Sequence, residues 1–251
     1  MRALHEIYNS TGGEQWDYDR INLGLSGCGI FETETGNHWN FTKNDTSGEY
    51  LVDACNNTAL GGHFMGLGCT CDTTTCYVTH ICLRNGGLSG TIPPEMSNLQ
   101  LLTFIALDNN ALTGTMPALE SFTSLQRLYL FSNALTGTIP PLNALTSLQY
   151  LLLHTNTLTG KIPPLDAHTS LQYLDLSGNA LAGKIPPLDA LTRMQYLFLY
   201  NNALTGKIPR LESLTNLKWL YLYNNVLVGK IPPLNSLTSL QRLYLYNNVL
   251  V

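Results

Sequence analysis

Charged side chains are scarce in this sequence, and so are the features that mark several common classes of protein. Asp, Glu, Lys and Arg make up only 12% of the 251 residues, and the formal net charge is −4. A net charge this small does not indicate a nucleic-acid partner. No apolar run approaches the roughly 20 residues that a membrane-spanning helix needs. The hydrophobic content of 44% argues against a disordered chain and supplies enough side chains for a long core.

Cysteine is absent after position 82. An even number of cysteines confined to one module predicts three disulfide bonds, whose pairing the sequence leaves open. The spacing in "CTCDTTTC", with His63 and His80 nearby, would also suit zinc. Four N-glycosylation sequons in the same segment instead favour an oxidising, secreted environment with N-linked glycans and no metal. The cysteines are Cys28, Cys55, Cys69, Cys71, Cys76 and Cys82, and the sequons begin at Asn9, Asn40, Asn44 and Asn56.

A repeat occupies the rest of the chain. "LQRLYLFSNALTG", "LQYLLLHTNTLTG" and "LKWLYLYNNVLVG" are three of seven segments that align without gaps, with their asparagines 23 residues apart. The shared pattern is LxxLxLxxNxLxGxIPxLxxL. Such regular spacing predicts a solenoid, in which each turn contacts its neighbours. The aligned asparagines are Asn110, Asn133, Asn156, Asn179, Asn202, Asn225 and Asn248.

Each turn has too few apolar residues to form a core alone, so the turns must stack. In one turn, Leu125, Leu128 and Leu130 are predicted to point inward from a parallel strand, with Ile139 on the far wall of the core. The proline after Ile139 favours an extended or polyproline-like wall over a helix. Asn133 must satisfy its amide with backbone groups of the tight turn. The asparagine positions are therefore predicted to be structural.

The segments "LTGTIPPL", "LTGKIPPL" and "LAGKIPPL" carry a resemblance to the leucine-rich repeat family, in its plant-like type with LxGxIP after the asparagine. The front of the chain, with "ALHEIYNSTGGEQW" and "GLGC", is similar to the N-terminal cap of secreted plant and algal members. The resemblance implies a horseshoe-shaped α/β-type repeat solenoid, predominantly β, with one parallel sheet on its concave face and an irregular or polyproline-like convex side. Residues 1–79 would form the disulfide-bonded, glycosylated cap, and residues 80–251 about eight turns of 23–24 residues, the last incomplete. The resemblance also implies binding without catalysis or a cofactor.

Aromatic residues concentrate at three positions of each strand, six, four and two places before the asparagine. Because side chains alternate along a strand, these positions are predicted to face outward on the concave surface. They hold 13 of the 14 aromatic residues after position 100, which core packing does not explain. A large apolar surface rich in tyrosine is typical of an interaction site. The predicted contact residues are Phe104, Arg127, Tyr129, Phe131, Tyr150, Tyr173, Tyr196, Phe198, Tyr200, Trp219, Tyr221, Tyr223, Arg242, Tyr244 and Tyr246.

Several interpretations of this surface stay open at this point. Cross-strand stacking alone would also explain the aromatic bias. As a binding face it suits a protein or a polysaccharide, whereas the near-identical turns suit a structural protein that assembles end to end into an extracellular filament or matrix. Four leucines of the last turn are expected to be covered, either by further turns or by another copy. They are Leu240, Leu243, Leu245 and Leu250.

Catalysis is the remaining interpretation to weigh. His154 and Asp175 fall on adjacent predicted strands with Ser177 nearby, which invites comparison with a catalytic triad. We predict instead that these are solvated positions on an open sheet, with no enclosed pocket and no oxyanion donors. The sequence therefore predicts no catalytic residue and a protein that is not an enzyme.

Overall fold

Stacked turns of the solenoid each contribute one short strand to a long sheet, named here the concave sheet. The computed structural model describes residues 2–17, 66–71 and 76–251. Within these residues the concave sheet has nine strands, paired in chain order. Its first pair is antiparallel and the following pairs are parallel. The strands are Leu67–Cys71, Cys76–Cys82, Phe104–Ala106, Arg127–Tyr129, Tyr150–Leu152, Tyr173–Asp175, Tyr196–Phe198, Trp219–Tyr221 and Arg242–Tyr244.

A second group of short parallel strands follows the asparagine turns, and the sequence did not predict it. The chain is extended here, and its backbone bonds to the preceding turn: the N–H of Ala134 donates to the carbonyl of Leu112 at 2.8 Å. Two isolated β-bridges, between Thr115 and Thr136 and between Thr138 and Thr159, connect the strands of the first turns to those of the later turns. These strands, the second sheet, are Ser89–Thr91, Ala111–Thr113, Thr159–Gly160, Ala180–Lys184, Ala203–Gly206, Val226–Gly229 and Val249–Leu250.

The glycine of each LxG segment allows the second sheet to pass close to the previous turn. Gly137 has a φ of +74°, and a Cβ added there would lie 2.8 Å from the Cγ2 atom of Thr115. Both the backbone angle and the close approach exclude a larger side chain without a local shift.

The repeating asparagines connect neighbouring turns, which confirms the structural role predicted for them. In Asn156, Oδ1 accepts a hydrogen bond from the backbone N–H of Leu135 at 3.0 Å. Its Nδ2 donates to the carbonyl oxygens of Leu130, in the preceding turn, and Leu153, in its own turn, at 3.0 and 3.1 Å. The same pattern of backbone partners recurs at the other six asparagines.

The residue before each of these asparagines adopts the left-handed conformation. Asn201, Asn224 and Asn247 have φ values of 53–54°, and Thr155, which is β-branched, has 55°. Asparagine tolerates this region better than most residues, which explains the doubled asparagine of "YNNVL". The exposed amides form a second ladder, because Asn224 Nδ2 donates to Asn201 Oδ1 and Asn247 Nδ2 to Asn224 Oδ1, both at 2.6 Å.

The core is a continuous column of leucines between the two walls, as predicted. Leu125, Leu128 and Leu130 are buried from the strand side. Ile139 and Leu142 are buried on the opposite wall. Because every turn repeats this arrangement, each turn before the last buries its apolar side chains against the turns beside it.

An N-terminal helix, Arg2–Ser10, and a short 3-10 helix, Gly13–Gln15, cover the start of the core, and a second 3-10 helix spans Pro94–Asn98. Leu4, Ile7 and Trp16 are buried against the first turns. The backbone N–H of Asp17 donates to the carbonyl of Gly86 at 2.8 Å. The leading segment is thus hydrogen-bonded directly to the repeats. None of the helices in the described ranges is long and apolar enough to cross a membrane.

The described residues include only part of the predicted cap chemistry. Cys69 and Cys82 are both disulfide-bonded, and the backbones of Cys71 and Cys76 lie opposite each other in the antiparallel strand pair. Asn9 is exposed on the N-terminal helix. Cys28, Cys55 and the sequons at Asn40, Asn44 and Asn56 lie outside the described residues.

The last turn is less covered than the turns before it. Leu240, Leu243, Leu245 and Leu250 are half-buried, whereas the equivalent Leu217 is fully buried. The expectation that these four leucines are covered stays a prediction.

We predict that Asn156→Ala lowers the free energy of unfolding by about 2–4 kcal/mol, because it leaves buried backbone donors and acceptors of two turns without partners. Urea denaturation followed by tryptophan fluorescence measures the change. Asn143→Ala is the matched control, since Asn143 is exposed and its replacement is expected to change stability by no more than about 0.5 kcal/mol. Equal effects of the two substitutions would contradict a structural role of Asn156.

Candidate functional site: the concave aromatic face

Outward-pointing side chains of the concave sheet line up in three columns, which we call the concave aromatic face. In the first column Tyr196 lies between Tyr173 and Trp219, because the parallel strands pair in the same register at every turn. Neighbouring strands are about 4.8 Å apart, close to the distance at which aromatic rings stack. The structure therefore brings the predicted contact residues together on one face.

Rings in the second and third columns stack face to face. Tyr200 and Tyr223 have centroids 4.5 Å apart and planes 10° apart. Tyr223 and Tyr246 follow at 4.6 Å and 14°, and Phe198 and Tyr221 stack at 4.6 Å and 21°. The predicted cross-strand stacking is present, and it has a consequence for binding. Neighbouring rings cover one another's flat faces, so the ring edges are left outward, where the hydroxyl group of Tyr223 hydrogen-bonds to Tyr246.

In the first column, one arginine lies at each end of a run of four rings. The guanidinium of Arg242 lies 4.4 Å from the centroid of Trp219, and that of Arg127 lies 5.3 Å from the centroid of Tyr150. Tyr196 packs edge-on against Trp219 with centroids 5.3 Å apart. These cation–π contacts fix both arginines on the face, and Arg242 also hydrogen-bonds to Tyr221.

Exposure differs among the predicted contact residues. Phe104 and Phe198 lie in their columns but are buried, with 2% and 5% of their surface exposed. They support the surrounding rings rather than present a surface of their own. Tyr244 and Tyr246 are the most open of the aromatic residues on this face, at 42% and 56%.

A buried ion pair, which the sequence reasoning missed, lies near the N-terminal end of the face. Arg84 Nε donates to Asp108 Oδ2 at 3.0 Å, and Asn109 Nδ2 donates to the same oxygen at 2.8 Å. Asp108 is fully buried. Burial raises the pKa of Asp108 above its ordinary value, and the nearby Arg84 opposes that shift. Arg84 was not found because it falls in the first, irregular turn of the repeat.

The prediction that His154, Asp175 and Ser177 are solvated was wrong for two of the three. Asp175 and Ser177 are only 6% and 2% exposed. Their short side chains lie below the level of the large rings on neighbouring strands, which keep water away. Burial raises the pKa of the Asp175 carboxyl group, although the nearby His154 and hydrogen bonds from Ser177 lower it.

These three residues do not have the order of a nucleophilic triad. Ser177 Oγ donates to Asp175 Oδ1 at 2.6 Å, and His154 Nδ1 lies 3.3 Å from Asp175 Oδ2. The carboxylate therefore stands between the serine and the histidine. A catalytic triad needs the histidine in the middle, where it can accept the proton of the serine.

Burial raises the pKa of three tyrosines of the face, Tyr129, Tyr173 and Tyr223. Burial raises the pKa of Tyr173 to about 12, with further contributions from Asp175 and neighbouring tyrosines. Burial likewise raises the pKa of Tyr223 to about 12, and Tyr200 and Tyr246 on either side of it act in the same direction. A phenolate in a stack would lose hydration and face other oxygen atoms.

We predict that the stack around Tyr223 loses stability in alkali. The pKa of Tyr223 is 10.0 in the unfolded chain and about 12 in the fold, so its contribution is complete below pH 10.0 and is lost as the pH rises to about 12. Tyr223→Phe should remove one late step from the tyrosinate absorbance titration and reduce the alkaline loss of unfolding free energy. A wild-type titration in which every tyrosine ionises near pH 10 would contradict this.

Comparison with known proteins places the repeats in a family. Residues 123–167, 169–214 and 215–250, about half of the chain, match the description "Leucine Rich repeats (2 copies)". A probable leucine-rich repeat receptor-like serine/threonine-protein kinase of Arabidopsis thaliana is 36% identical over 95 residues, which cover 37% of this chain and 9% of that protein. The chain thus spans less than a tenth of this curated relative.

Solved structures of receptors are also similar to this chain. The plant peptide hormone receptor RGFR1, in complex with RGF2, is 34% identical with a TM-score of 0.57, over 65% of this chain and 31% of that one. Pollen Receptor Kinase 3 is 30% identical with a TM-score of 0.54, over 80% of this chain and 90% of that one. From its repeated hydrogen-bonded asparagine, its stacked parallel strands and these matches, the chain belongs to the leucine-rich repeat family.

Proposed function

We propose that this chain is a non-enzymatic, extracellular interaction module whose concave aromatic face binds an extended peptide segment of another protein. The observation that carries the proposal is the arrangement of the rings, which present edges and hydroxyl groups in regular columns. Tyrosine hydroxyls can donate and accept hydrogen bonds, and an extended backbone offers matching groups along its length. The similar receptor RGFR1 is described as a peptide hormone receptor, which supports a peptide as the ligand class.

A polysaccharide is the weaker candidate for the same surface. Sugars pack their C–H groups on the flat faces of aromatic rings, and both faces of Tyr221 and Tyr223 are covered by stacked neighbours. A ligand would have to break these stacks before it could use the rings in that way. The concave face therefore favours a ligand that hydrogen-bonds to the tyrosine hydroxyl groups at the ring edges.

An extracellular location is the second part of the proposal. Cys69 and Cys82 are disulfide-bonded, as expected in an oxidising compartment. Asn9, the first residue of a sequon, is exposed on the N-terminal helix and accessible to a glycan. We propose that all six cysteines are oxidised and that Asn9, Asn40, Asn44 and Asn56 carry N-linked glycans.

Binding is tested with linear peptides selected from a phage-displayed random library on the wild-type protein. Trp219→Ala and Tyr223→Ala are each expected to weaken a selected peptide by about 1–3 kcal/mol, because each removes a large contact area. Tyr223→Phe keeps the stack and should have a smaller effect, limited to the lost hydroxyl group. Isothermal titration calorimetry measures the affinities.

Val226→Ala is the control, because Val226 is 50% exposed on the second sheet, away from the concave sheet. It should bind selected peptides as the wild type does. Circular dichroism confirms that every variant is folded. Full binding by folded Trp219→Ala and Tyr223→Ala would show that the rings only support one another.

The extracellular proposal is tested by intact mass measurement of the protein secreted from a eukaryotic host. Reduction and alkylation should modify six cysteines that do not react before reduction. Enzymatic removal of N-glycans should lower the mass, and Asn9→Gln should remove one glycan. Six thiols that react without reduction, or one zinc ion bound per protein chain, would overturn the extracellular assignment.

A further inference from the structure

Two arginines lie at the ends of a run of rings in the first column of the concave aromatic face, named here the aromatic strip. Arg127 and Arg242 are separated by five steps between neighbouring strands, and equivalent residues pair in register at every step. Because neighbouring strands are about 4.8 Å apart, the two residues lie roughly 24 Å apart along the sheet. The rings of the strip between them are Tyr150, Tyr173, Tyr196 and Trp219.

Neither arginine has a carboxylate partner among the described residues, and both are exposed. The two acidic residues of the three columns already have other partners. Asp108 is fully buried and pairs with Arg84 at 3.0 Å. Asp175 is nearly buried, accepts a hydrogen bond from Ser177 and lies 3.3 Å from His154. The face itself therefore does not neutralise the exposed positive charge at either end of the strip.

Aromatic neighbours hold both guanidinium groups in place. The guanidinium of Arg127 lies 5.3 Å from the centroid of Tyr150. That of Arg242 lies 4.4 Å from the centroid of Trp219 and hydrogen-bonds to Tyr221. One such hydrogen bond engages only part of a group that has five N–H donors. A guanidinium already oriented on a ring loses less conformational freedom when it binds a carboxylate.

We propose that the peptide bound by the concave aromatic face carries two acidic side chains about seven residues apart, one for each arginine. An extended chain rises about 3.4 Å per residue, so seven residues span the roughly 24 Å between Arg127 and Arg242. Each carboxylate accepts hydrogen bonds from one guanidinium, whose planar fork matches its geometry. The residues between the two acids lie along the aromatic strip. The inference rests on the proposed function, because it specifies which peptides that surface binds.

Three phage-displayed peptide libraries test the spacing. Each is random except at two fixed positions, which carry Glu about seven residues apart, Gln at the same spacing, or Glu about three residues apart. All are selected on the wild-type protein under identical conditions. We expect the widely spaced Glu library to be enriched about tenfold over each of the other two. Equal enrichment of the Glu and Gln libraries at the wide spacing would overturn the proposal. So would equal enrichment of the two Glu libraries, because acidic peptides would then be preferred without a defined spacing.

Arginine variants test the two contacts separately. The probe is the most enriched peptide with widely spaced Glu residues, synthesised with both termini blocked so that no terminal carboxylate contributes. Arg127→Gln and Arg242→Gln are each expected to weaken binding of this peptide about fivefold, the upper range for exposed ion pairs. Replacing the matching Glu of the peptide by Gln should weaken binding to the wild type by the same factor and cause no further loss in that variant.

Arg210→Gln is the matched control, because Arg210 is exposed between the buried Ile208 and Leu211, on the wall opposite the concave sheet. It removes the same charge and should bind the probe as the wild type does. Circular dichroism confirms that each variant is folded. Equal weakening by all three arginine variants would overturn the proposal, because the peptide would then respond to net charge and not to position. Wild-type affinity in folded Arg127→Gln and Arg242→Gln would overturn it as well.

Failure of this inference can be told apart from failure of the proposed function. Tyr223 lies in the third column, whereas both arginines lie in the first, so Tyr223→Ala tests peptide binding by the rings separately. If peptides of the Gln library bind and lose affinity in Tyr223→Ala, the proposed function stands and the requirement for two acids fails. If the two acids are required while Tyr223→Ala binds normally, recognition by the arginines stands and the rings of the third column only support one another.

Discussion

The amide side chain of one asparagine in each turn holds neighbouring turns of this protein together. Its oxygen accepts from a backbone N–H of the preceding turn, and its nitrogen donates to carbonyl groups of both turns, as in Asn225 with Leu204, Leu199 and Leu222. These groups lie in a tight bend that cannot pair within itself, so a missing amide would leave them unsatisfied in the core. The leucine column, the concave sheet and the second sheet all depend on the constant spacing that this network imposes.

That spacing also determines the chemistry of the surface. Strands about 4.8 Å apart bring aromatic side chains at equivalent positions to stacking distance, whether or not a ligand is present. Stacking covers both faces of rings such as Tyr221 and leaves their edges pointing outward. An aromatic surface of this kind is rigid and more polar than its composition implies, which favours a ligand rich in hydrogen-bonding groups.

The turn that contains "LDLSGNALAG" departs from its neighbours in several linked ways. Asp175 and Ser177 replace rings in two columns, and Gly178 takes the left-handed position with a φ of +62°. Asp175 and Ser177 are nearly buried and hydrogen-bonded to each other, so a compact polar cluster interrupts both ring columns at this turn.

By itself, the sequence determined the repeat, the inward leucines, the structural asparagines and the three outward columns, because a 23-residue period and alternation along a strand are properties of local geometry. It did not predict the second sheet, since those strands are only two to five residues long and exist through bonds to adjacent turns. Tertiary structure alone decided that Phe104 and Phe198 are buried, that Arg84 pairs with Asp108, and that Asp175 stands between Ser177 and His154. Each of these outcomes depends on how far side chains of neighbouring turns extend from the sheet and where they lie. No single segment of the chain specifies this.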